Sequence, residues 1–213
     1  MKKLISLICV LAMVLALAAC GSSAPAAATE APAASTEAPA EDVSADKTFV
    51  VGICQLVQHP ALDAATQGFK DALTEALGDK VTFQEQNASG DSATCSLICN
   101  QFVSDEVDLI MANATASIQA AASATNTIPI LGTSITDYGV ALGVDNWTGV
   151  SGTNISGTSD LAPLDGQAAM IQELFPDAKT IGLLYCSGEP NSIFQADSME
   201  ALLTDMGYSV ERY

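Results

Sequence analysis

Residues 48–78 read TFVVGICQLVQHPALDAATQGFKDALTEALG, and the two halves of this stretch carry different hydrophobic periods. Thr48-Phe49-Val50-Val51-Gly52-Ile53-Cys54 is a short, nearly unbroken apolar run, the pattern of a strand buried on both faces. Ala61, Leu62, Ala65, Phe69, Ala72, Leu73, Ala76 and Leu77 then recur at intervals of three and four. That spacing lays them along one face of a helix, and Gly78 supplies its stop. The alternation continues downstream. Strands are predicted over 81–86, 107–111 and 128–131. Helices are predicted over 92–104, capped by Asp91 or Ser92, and over the alanine-rich 114–124. Strands alternating with helices at this spacing call for an α/β fold: a Rossmann-like parallel sheet with helices on both faces. Such sheets bind small molecules at the C-terminal edge of their strands, where loop amides and helix N-termini converge. Here the loops at that edge start at Gln55, Asn87, Ala112 and Gly132.

Residues 143–160 change texture to Gly, Ser, Thr and Asn, a density of turn formers that suggests a crossing segment or hinge. Beyond it a helix over 164–175 leads through Pro176 into a new apolar strand, 180–186. A helix from Asn191 or Ser192 to Gly207 and the start of a strand at 208–213 follow. The expected organisation is a first α/β lobe at 48–145, a crossing segment at 146–163 and a second lobe, only begun, at 164–213.

The N-terminus reads as a secretion leader. Lys2 and Lys3 precede an apolar run, 4–18, interrupted only by Ser6 and Cys9, which matches a signal peptide and is short for a membrane-spanning helix. It ends Leu17-Ala18-Ala19-Cys20, and this resembles the lipobox of bacterial lipoproteins. The resemblance implies that Cys20 carries a lipid and becomes the new N-terminus. Residues 21–47 are almost wholly Ala, Ser, Thr, Pro and Glu, with no large apolar side chain but Val43. Such a segment cannot offset the entropy of ordering and reads as a proline-stiffened tether. Leader, lipid and tether together place the folded part on the outer face of the cytoplasmic membrane, and a long tether suits a Gram-positive wall.

The formal charge is −18, and loss of the two leader lysines leaves five basic against 25 acidic residues, or −20. That field repels phosphate backbones, so nucleic acid is excluded as a partner. Of six cysteines, Cys9 and Cys20 belong to the leader; Cys54, Cys95, Cys99 and Cys186 show no CxxC pair. They read as small buried residues, with a bridge between some of them left open. With His59 the only histidine, no metal site and no cofactor is expected. Nor is catalysis: the chain has no GxSxG elbow, HExxH, P-loop or GxGxxG.

Three pieces resemble one family. Val51-Gly52-Ile53-Cys54-Gln55 with His59-Pro60-Ala61-Leu62-Asp63, then Asn87-Ala88-Ser89-Gly90-Asp91, then Ile181-Gly182-Leu183-Leu184-Tyr185 with Glu189-Pro190-Asn191-Ser192, are similar to substrate-binding proteins of tryptophan-type ABC importers. The resemblance implies a type I periplasmic-binding-protein fold, whose two lobes close on a small solute and dock on a membrane permease. The solute implied is an amino acid, of the aromatic kind in this branch, and the protein is expected to be a monomer. A membrane-tethered sensing subunit of the same fold is the alternative. Within such a cleft Thr115 and Ser117, at a helix start, would hold a carboxylate, or simply cap their helix. Thr136 and Asp137 follow the fourth strand, with Asp137 facing a ligand ammonium. Gln55 and His59 follow the first strand, and Glu189, Asn191 and Ser192 would face them from the second lobe. Cys54, Cys186, the helix start at Asn113-Ala114-Thr115 and Trp147 depart from the family's habit. Two lobes of equal size would need more chain than the 166 residues from Thr48 to Tyr213, so a continuation of roughly 110 to 150 residues is expected.

Overall fold

The computed structural model describes residues 47–213. The expected leader, the Cys20 lipidation site and all but the last residue of the tether lie outside the described residues.

Five strands form one all-parallel sheet: β1 (Phe49–Gln55), β2 (Val81–Asn87), β3 (Leu109–Asn113), β4 (Ile130–Ile135) and β5 (Ile155–Ser159), in the order β2-β1-β3-β4-β5. The helices are α1 (Pro60–Leu77), α2 (Ser92–Ser104), α3 (Thr115–Ala124) and the short α4 (Tyr138–Leu142). Register follows the pleat. Ile53 of β1 lies beside Met111 of β3, and these two, with Val51 and Val81, pack under Phe69, Leu73 and Leu77 of α1. On the opposite face Cys54, Ile110, Ala112 and Ile130 meet Cys95, Ile98, Cys99 and Phe102 of α2 and Ile118 and Ala121 of α3. Two covered faces explain why the central strands β1 and β3 read as continuous apolar runs. Gly52 is needed where Phe102 crosses β1, since a Cβ there would lie 2.6 Å from the ring.

A second, two-stranded parallel sheet pairs β6 (Thr180–Leu183) with β7 (Ser209–Arg212). Helices α5 (Leu164–Leu174) and α6 (Pro190–Asp205) pack on it through Ala168, Met199 and Leu203 against Ile181, Leu183 and Val210. Arg212 pairs with Asp197 at 2.6 Å and with Glu200, tying β7 to α6.

The structure adds two elements to those expected, α4 and β5. Ile155–Ser159 falls within the stretch expected to cross between lobes, yet it pairs with β4 as a fifth strand. Only Ile155 of its five residues is buried, so an edge strand of Ser, Gly and Thr offered no hydrophobic signal. The third strand starts two residues later than expected, because the Val107 amide donates to Phe102 O (3.2 Å) and closes the end of α2. Cys54, Cys95 and Cys99 are free, buried thiols, and Cys186 is free and exposed. A hydrogen bond from Cys95 lowers the Cys54 pKa, but Cys99 and burial outweigh it and push the thiol up to about 12. These three cysteines act as core side chains.

Candidate functional site

The C-terminal edge of the five-stranded sheet meets the loop that precedes α6 across a cleft of about 450 Å³. Leu56 and Leu62 line one end of it, Thr115, Ser134, Thr136 and Asp160 its floor and side, and Glu189, Pro190 and Asn191 the facing wall. A wider hollow of about 680 Å³ lies between α1 and β2, lined by Asp63, Glu85 and Asn87. The smaller cleft is the one on which the loops of both sheets converge, and that enclosure is what recognition of a small solute requires.

The start of α3 is built for an anion. The Ser117 and Ile118 amides donate to Ala114 O at 3.1 and 3.2 Å, while those of Thr115 and Ala116 have no backbone acceptor among the described residues. Thr115 is 6% and Thr136 8% exposed, and both line the cleft. Neither hydroxyl has a partner among the described residues. Asn113 Oδ1 is the one wholly enclosed unpartnered side-chain atom there, so the threonine hydroxyls keep access to the cleft. Ser134 joins them with φ 56°, at the irregularity where β4 shifts register against β5.

Of the nine residues expected to contact ligand, Thr115, Thr136, Glu189 and Asn191 come together in this cleft. The other five are placed elsewhere. Gln55 is 4% exposed, and its amide is spent inward: Nε2 donates to Val57 O (2.9 Å) and Asp63 Oδ1 (2.6 Å), and Oε1 accepts from Thr66 (2.7 Å). Asn113 Nδ2 extends this network to Leu62 O (2.8 Å) and Thr66 Oγ1 (2.9 Å). Gln55 therefore positions the wall carrying Leu56 and Leu62. His59 caps α1, its Nδ1 accepting from the Ala61 amide at 3.2 Å. Ser117 is fully buried at the α2–α3 contact, 3.7 Å from Cys95 Sγ, because two residues past Thr115 the helix has turned to its opposite side, which faces the core. Asp137 caps α4, its Oδ1 accepting from the Val140 amide at 2.8 Å. Ser192 holds its own loop, accepting from the Cys186 amide at 2.9 Å.

Sequence reasoning missed Ser92, Gln119 and Asp160. Ser92 and Gln119 carry no distinguishing signal, and Asp160 sat in the polar stretch read as a hinge. The negative charge of Asp160 is felt nearby. Burial first, and then that charge, push the Tyr138 hydroxyl up to about 12.

Residues 50–213 match the family described as ABC transporter substrate binding protein. The chain belongs to that family. It is 42% identical over 163 residues to a tyrosine-binding protein of Clostridioides difficile, covering 75% of this chain and 47% of that protein. An ABC domain from Streptococcus pneumonia in complex with L-Trp superposes with a TM-score of 0.73 at 34% identity, over 78% of this chain and 57% of that one. The ligand-free, open structure of a substrate binding protein with adhesive properties from Clostridium difficile gives 0.61 at 40% identity, with the same shares. The chain thus has the type I periplasmic-binding-protein fold and spans about half the length of the relatives it matches.

Proposed function

We propose that this chain is the solute-capturing portion of an extracytoplasmic lipoprotein serving an ABC importer. In this reading Cys20 carries the lipid that holds it, as a monomer, at the outer face of the cytoplasmic membrane of a Gram-positive cell. No helix among the described residues is long and apolar enough to cross a membrane. It binds rather than catalyses. The lobe at 48–145 and the partial lobe at 164–213 grip the solute, and a permease receives it.

The solute is an amino acid, and the ligands of its relatives, tyrosine and L-Trp, point to an aromatic one. One observation carries this reading: the free amides of Thr115 and Ala116 and the unpartnered hydroxyls of Thr115 and Thr136 converge on one cleft, opposite Glu189 and Asn191. A helix N-terminus with added hydroxyls holds a carboxylate through short, charge-assisted bonds. Saturation-transfer NMR on the purified chain checks it. L-tyrosine and L-tryptophan should give saturable signals where glucose gives none, and Thr115→Val should weaken both by about tenfold. Absence of saturable binding by either amino acid at millimolar concentration sinks the reading.

A further inference from the structure

We propose that Asp160 makes this cleft require a positively charged group on its solute, with Glu189 adding to the same field from the facing wall. The inference rests on the cleft being the solute site. Asp160, itself exposed, follows the last residue of β5, and its amide donates to Ile135 O at 3.0 Å, which holds its backbone at the edge of the sheet. That carboxylate lines the cleft and has no hydrogen-bond or ion-pair partner among the described residues. The neighbouring acid, Asp137, is already committed to capping α4.

No lysine or arginine lines the cleft. The described cations are engaged or remote: Lys47 on Asp108, Lys70 on Glu85 and Arg212 on Asp197 and Glu200. Lys80 and Lys179 immediately precede β2 and β6, at the opposite edges of the sheets. The cleft therefore presents two carboxylates and no balancing cation. A solute carrying only a negative charge would be repelled. Its carboxylate could be met only by neutral donors, foremost the nine-tenths buried hydroxyls of Thr115 at the start of α3 and of Thr136 after β4, with the two free amides of α3. A dipolar solute satisfies both ends at once, carboxylate toward Thr115 and Thr136, ammonium toward Asp160. Charged pairs at such range fix orientation and exclude the wrong solute as much as they add affinity.

The test uses two probes on the same chain by saturation-transfer NMR titration: L-tyrosine and its deaminated analogue 3-(4-hydroxyphenyl)propanoate. The analogue should bind wild type at least tenfold more weakly than L-tyrosine. Asp160→Asn should weaken L-tyrosine about tenfold or more and leave the analogue unchanged or tighter, while Asp137→Asn leaves the ratio between probes as in wild type. Equal binding of the two probes by wild type, or unchanged L-tyrosine binding by Asp160→Asn, overturns the role of Asp160 and leaves the solute site standing. If folded wild type binds neither probe, both the solute site and the role of Asp160 fall together.

Discussion

Ala114 joins β3 to α3 with φ 91° and ψ 162°, a region of backbone space that side chains with a Cβ rarely enter. Its two neighbours explain why it is held there. Asn113 must turn its amide under α1 to reach Leu62 O and Thr66 Oγ1, and the next residue must present its hydroxyl to the cleft on the other side. The chain reverses its facing within one residue. Strain of this kind costs on the order of 1–3 kcal/mol, and glycine removes most of it while losing somewhat more entropy on folding. Ala114→Gly should therefore stabilise the chain by about 1 kcal/mol, read as a higher urea midpoint at unchanged slope. The same variant should bind solute no better, since glycine adopts the same backbone conformation and leaves the Thr115 hydroxyl and amide facing the cleft. A lower midpoint would mean that the fold does not hold this residue against its preference.

At the scale of elements, one carboxylate aligns β1 with β3. Asp108 Oδ2 accepts from the Val50 amide at 2.8 Å, its own amide donates to Val50 O at 2.8 Å, and Lys47 lies 2.7 Å from Oδ1. Lys47 first, and the Val50 amide second, hold the Asp108 pKa below the ordinary carboxylate value. A folded value below the unfolded one gives stability that is complete above about pH 4 and is lost as the pH falls through the depressed folded value. Asp108→Asn should cost about 1 kcal/mol at pH 7 and flatten the loss of stability between pH 4 and pH 2 in acid titrations followed by circular dichroism. Unchanged acid sensitivity would remove Asp108 from that account. The same elements show what a sequence can and cannot disclose. Strands β1, β3 and β4 were legible because both of their faces are covered, so burial wrote them as apolar runs, whereas the edge strand β2, with Val81 alone buried, was legible from its place between α1 and α2. Strand β5 and the five-residue α4 were not, since neither buries enough to leave a period. Thr115, Thr136, Glu189 and Asn191 were legible as cleft residues because loop position alone puts them at the sheet edge. His59 and Asp137 were misread for a physical reason: a polar side chain at the first turn of a helix looks the same whether it caps that helix or meets a ligand. Gln55 was expected at the cleft because it follows the first strand, but Asp63 and Thr66 on α1 claim its amide, and that pairing is a tertiary fact.

Across the whole molecule the two sheets differ in how much they bury. Seventeen buried residues pack on one face of the five-stranded sheet, whereas the buried core under β6 and β7 is Ala168, Met199 and Leu203. Leu174, Phe175, Leu184 and Tyr213 around that smaller sheet stay more than half exposed. A two-stranded sheet with one helical face is marginal by itself, and local opening free energy tracks buried apolar contact. Amides of β6, β7 and α6 should therefore exchange with deuterium at least about tenfold faster than those of β1 and β3 at neutral pH. The cleft couples this difference to function, because Thr115 and Asp160 stand on the well-packed sheet and Glu189 and Asn191 at the start of α6. A solute bridging them would lend binding free energy to the weaker side only when that side is folded. Saturating L-tyrosine should slow exchange in β6 and the first turn of α6 while leaving β1 and β3 unaltered. Uniform protection across both sheets without solute, or a ligand effect confined to β1 and β3, would mean that the two sheets open as one unit and that the facing wall takes no part in holding the solute.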